Sequence, residues 1–114
     1  MAKDDYYVLA YRILAYLYAC LKDGEKPDLD YIGPASPVLN VSRNYWEYII
    51  RHLYQDGYLE GIALIPVIGS ANLGIKMLPS VMITPKGIEF LQENSTMNKA
   101  KEFLKTLKET IPGL

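Results

Sequence analysis

Residues 42–61 read SRNYWEYIIRHLYQDGYLEG, a helix with both of its ends written in local chemistry. Ser42 can accept from the free backbone N–H groups of a first turn. Trp46, Ile49, Ile50 and Leu53 recur at helical spacing and form one apolar face. Gly57 can take the left-handed conformation that stops a helix, and Tyr58, Leu59 and Ile62 begin an extended run. The 3.6-residue repeat sets Asn44, Tyr48, Arg51 and Gln55 opposite the apolar stripe, with Glu47 and His52 at its edges. Trp46 is the expected anchor, and its truncation to alanine should cost ~3–5 kcal/mol.

Downstream, Tyr58–Ile65 and Ser80–Thr84 read as two antiparallel strands around a long loop from Pro66 to Pro79. A loop of that length is uncommon in a compact domain. Its Val67, Ile68, Leu73, Ile75, Met77 and Leu78 are unusually apolar for a solvated tip, although Ile65 and Met77 could flank a longer hairpin. Thr84 and Pro85 supply an N-cap and first helical position for a helix through Leu91. A last amphipathic helix is expected over about residues 96–111, with a Met97, Ala100, Leu104, Leu107, Ile111 stripe, Phe103 beside it and lysines elsewhere.

Upstream, a helix from Asp4 or Asp5 to Asp23 closes at Gly24. Tyr6, Ala10, Ile13, Leu17 and Leu21 form its main apolar face. Val8, Tyr11, Ala15, Tyr18 and Ala19 make the opposite side nearly as apolar, so both sides should be covered, by the C-terminal helix or by another subunit. Pro27 can start a short second helix through Leu29, Tyr31 and Ile32. The order helix, short helix, capped helix, strand, loop, strand, helix predicts an α+β, mainly helical fold. It is a winged helix-turn-helix with an N-terminal helix, a two-stranded wing over about 58–84 and a C-terminal amphipathic helix. One domain spans residues 1–114.

Composition narrows the function. Half of the 114 residues are hydrophobic and 22% are charged, as in a folded chain. The net charge of -1 and the pI near 5.8 weigh against a protein that lives on phosphate contacts alone. The single Cys20 excludes an internal disulfide, and MAKDDYY lacks the order of a signal peptide, so a cytoplasmic location is expected. Pro66, Gly69, Gly74 and Pro79, with Lys76 among them, break the apolar run between Gly61 and Thr84, and no membrane span is expected.

No catalytic constellation is present. His52 and Cys20 are each the only residue of their kind, and nothing brings their helices together. Soft-metal sites need several such residues. Asp28 and Asp30 lack further ligands at calcium-loop spacing. Gly69 to Gly74 is followed by Ile75 where a phosphate-binding loop needs lysine. Neither enzyme activity nor a cofactor or metal is expected.

Two joints, HLYQDGYLEGI and ITPKGIEFL, are similar to the helix-to-strand and strand-to-helix joints of many winged-helix regulators. The longer ITPKGIEFLQENSTMNKAKEFLKTLKE resembles the YjcQ-like small proteins of Gram-positive bacteria and their phages, most strongly over Ile83–Glu109. That resemblance implies a winged-helix fold and a DNA-binding or regulatory role, and carries no site residues with it.

Two functions are therefore set side by side. The first is binding of double-stranded DNA. Arg43 and Arg51 would address guanine or phosphate, Asn44 and Gln55 adenine, and Tyr48 phosphate. An ordinary wet helix face with a Glu47–Arg51 pair explains the same residues. The second is a protein-interaction module, as a homodimer or with a host-protein partner, through Tyr11, Tyr18, Val67, Ile68, Leu73 and Phe103. A wing folded back on its own core is the plain alternative there. Ten tyrosines also invite base stacking, but no basic groove accompanies them.

Overall fold

The computed structural model describes residues 5–69 and 74–94. Among them the chain is α+β, with three helices and a two-stranded antiparallel sheet: α1 (Asp5–Asp23), α2 (Arg43–Gln55), β1 (Leu59–Ile65), β2 (Gly74–Ile83) and α3 (Pro85–Glu93). The expected C-terminal helix over 96–111 lies outside the described residues.

α1 runs through the centre. Ala10, Ile13, Leu14 and Leu17 are buried on it, packed with Trp46, Ile49, Ile50 and Leu53 of α2 and with the inward residues of the sheet. Val8, Tyr11 and Ala15 on its other side are buried too. Part of that side is met by the 25–42 segment, where Arg12 donates to the Val38 carbonyl at 2.8 Å.

That segment corrects one expectation. No second helix forms over 27–32; the chain runs in successive turns. The Asp28 carboxylate accepts from Asp30 N at 3.0 Å, a local turn that competes with helix hydrogen bonds. Trp46 Nε1 donates to the Ile32 carbonyl at 2.8 Å, so the segment is pinned to α2 through the tryptophan. The indole N–H is thereby satisfied while the ring is buried.

The ends of α2 follow their local chemistry. Ser42 Oγ accepts from Tyr45 N at 3.2 Å. At the far end Gly57 has φ +82, Gly57 N donates to Tyr54 O at 3.1 Å, and Tyr58 N donates to Leu53 O at 2.9 Å. These are the two bonds of a Schellman stop.

The hairpin corrects a second expectation. β2 begins at Gly74, well before Ser80, and Ile75 and Met77 are buried in the core, so much of the apolar loop is strand. Glu60 pairs with Met82 and Ile62 with Met77, leaving Leu78–Val81 opposite Gly61 alone. This bulge admits Pro79, which lacks a ladder donor. Gly61, at φ +85, is required there, because a Cβ would stand 2.5 Å from Val81 Cα.

Candidate nucleic-acid interface and an adjoining aromatic cleft

α2 offers the face expected of it. Arg43, Asn44, Tyr48 and Gln55 are exposed, and Arg51 is half-buried. The Arg43 side chain is 64% exposed; its Nε lies 3.8 Å from Glu47 Oε2, and its guanidinium carbon is 5.4 Å from the Trp46 ring centroid. This places an i,i+4 ion pair between Arg43 and Glu47. An i,i+4 pair is worth only about 0.2–0.5 kcal/mol, so Arg43 can leave it for a phosphate at little cost. Glu47 Oε2 also accepts from Ile75 N at 3.2 Å, which ties the middle of α2 to the start of β2.

Tyr48 is committed on one edge. Its ring centroid lies 4.3 Å from that of His52, 6.1 Å from Tyr6 and 6.4 Å from Tyr45. These rings open onto a cleft of about 960 Å³, into which α1 sends Tyr6 and Tyr7, α2 sends Tyr45 and Tyr48, and Tyr58 and Phe90 come from beyond. Its polar groups are Ser42, Asn44, His52 and the Asp56 carboxylate. Tyr45 OH donates to Asp5 Oδ2 at 3.0 Å, fixing that ring. Burial, with the Asp56 charge next in weight, pushes the Tyr6 phenol up to about 12. Burial and the bond to Asp5 do the same for Tyr45.

The cleft is not legible in the sequence. Tyr6, Tyr45 and Tyr48 were visible, but their convergence needs the crossing of α1 over α2. Of the expected protein-interface residues, Tyr11 is buried in the chain's own core, so it presents nothing to a partner. Tyr18 is half-buried with Lys22 Nζ 4.5 Å over its ring. Val67 is 49% exposed and Ile68 wholly exposed at the hairpin tip. Leu73 and Phe103 lie outside the described residues. Cys20 is buried, and burial raises its thiol pKa, which makes it a poor nucleophile. Among the described residues no group of three or more His, Cys, Asp or Glu is placed to hold a metal. No helix among them is long and apolar enough to cross a membrane.

The YjcQ protein family matches this chain over residues 11–110. The chain belongs to that family. The match to YjcQ takes in α2, the hairpin and α3, and hence the whole candidate interface. No curated protein and no solved structure matches this YjcQ-family chain.

Proposed function

We propose that this chain is a small winged-helix DNA-binding protein of regulatory type, which reads duplex DNA with the exposed face of α2. The observation that carries the reading is the exposure of Arg43, Asn44, Tyr48 and Gln55 on a helix braced at three points. Ser42 caps its start, Glu47 ties its middle to β2, and the Gly57 stop holds its end. A braced helix places those side chains without a large ordering cost on binding. The order of α2, β1, β2 and α3 is compatible with a winged helix. The resemblance to proteins of Gram-positive bacteria and their phages adds a cytoplasmic setting to the proposal.

The test is binding of random-sequence duplex DNA across a salt series, with Arg43→Ala/Arg51→Ala alongside. Micromolar or tighter affinity that falls with salt is expected, and the double variant should flatten the salt slope by about 2. A folded protein that binds nothing at low salt overturns the reading.

The exposed Val67 and Ile68 favour a second one, a protein-interaction module docking through the hairpin tip. A host-protein partner or a second copy would then cover that tip. Dimerisation alone does not separate the two readings, since it would also space two α2 helices on a duplex.

A further inference from the structure

We infer that the cleft between α1 and α2 is a binding site for an organic cation with a bulky, ring-bearing apolar body. Its volume of about 960 Å³ is that of a small-molecule site. The cleft is lined by aromatic side chains, and neighbouring rings stand at steep angles: Tyr6 and Tyr7 meet at 90°, Tyr6 and Tyr48 at 82°. A ring face carries the negative end of its quadrupole and attracts a cation within about 6 Å. One lining ring already does so, with Lys86 Nζ 5.3 Å from the Tyr58 centroid.

Charge selects the sign of the ligand. Among the described residues that line the cleft, Asp56 is the only carboxylate, and there is no lysine or arginine. An anion would meet aromatic rings and the Asp56 carboxylate, with Lys86, already seated over the Tyr58 ring, as the cation beside the lining. A neutral apolar body would gain nothing from Asp56, which is exposed at the rim of the cleft. A cation answers both the aromatic lining and Asp56, and the apolar body lies along the rings of the groove. The site stands apart from the DNA reading, although Asn44 and Tyr48 belong to both surfaces.

The experiment is calorimetric titration of the full chain, without DNA, using tetraphenylphosphonium and tetraphenylborate. The two ions have nearly the same shape and opposite charge. Tetraphenylphosphonium should bind at least about tenfold tighter than tetraphenylborate. Tyr48→Ala and Asp56→Asn should each weaken it about 3- to 10-fold while melting remains cooperative. Equal binding of both ions, no binding, or affinity unchanged in both variants overturns the inference. A cation that binds only after Leu104→Asp/Leu107→Asp also overturns it, since the chain's own C-terminal segment would then be the occupant. Because no nucleic acid is present, failure here leaves the duplex-binding result untouched, and the reverse also holds.

Discussion

Replacing Thr84 by valine should loosen two joints at once. Thr84 Oγ1 donates to the Gly57 carbonyl at 2.5 Å and accepts from Gly87 N at 3.1 Å. One hydroxyl therefore caps α3 and clasps the stop of α2, while Thr84 N donates to Tyr58 O at 3.1 Å beside it. Valine keeps the shape and removes the oxygen. Loss of an N-cap costs about 0.5–2 kcal/mol. A hydrogen bond between part-buried groups adds about 0.5–1.5 kcal/mol. Both losses share one atom, so their sum is taken as about 1.5–3 kcal/mol. For a chain of this length that lowers Tm by about 5–12 °C. Urea unfolding should show the same loss as a lower midpoint at unchanged m. Thr84→Ser keeps the oxygen and should recover most of the difference. A Thr84→Val protein within about 0.5 kcal/mol of the parent, or a serine variant as damaged as the valine one, would refute the clasp.

Other consequences follow from the same packing. Gly87→Ala should be severely destabilising, because the added Cβ would run into the Tyr58 carbonyl and stand 2.6 Å from Ile83 Cγ1. A cooperative melt within about 1 kcal/mol of the parent would contradict that close approach. Alkaline pH should also destabilise the chain. Tyr6, Tyr16 and Tyr45 hold their protons up to about 12 in the fold, chiefly because they are buried, against about 10 when unfolded. A raised folded pKa contributes stability that is whole below pH 10 and is lost as pH rises toward 12. Tyr16 is the most deeply buried of the three and contributes on the order of 2–3 kcal/mol to that slope. Tyr16→Phe should flatten the fall of Tm above pH 10, and an unchanged slope would count against this assignment.

Much of the fold was legible because its joints are local. Ser42, Gly57, Thr84 and Pro85 act within a turn of their own position, so each could be placed from its neighbours alone. The 25–42 segment departs from its sequence expectation because Pro27 suits a helix start equally well. What decides there is the Asp28 turn and the hold of Trp46 on Ile32, and the latter is a tertiary contact. The early start of β2 stands in the sequence only as the longer hairpin flanked by Ile65 and Met77, because Pro79 reads as a strand breaker until Gly61 on the opposite strand makes room for it. The exposed face of α2 could be drawn from periodicity, whereas the Arg43–Glu47 pairing and the Glu47 bond to Ile75 could not. The cleft was the least visible feature, since its rings come from α1, α2, the start of the hairpin and α3. Periodicity sorts residues into inside and outside; it does not say which half-exposed rings will face one another.

The reading of α2 as a DNA-contacting helix is tested most directly by mapping backbone amide shifts of the full, isotope-labelled chain as random-sequence duplex is added at low salt. Salt-reversible shifts concentrated at Arg43, Asn44, Tyr48, Arg51 and Gln55 are expected. Shifts confined to the hairpin tip, or none in a folded chain at high duplex concentration, would contradict it.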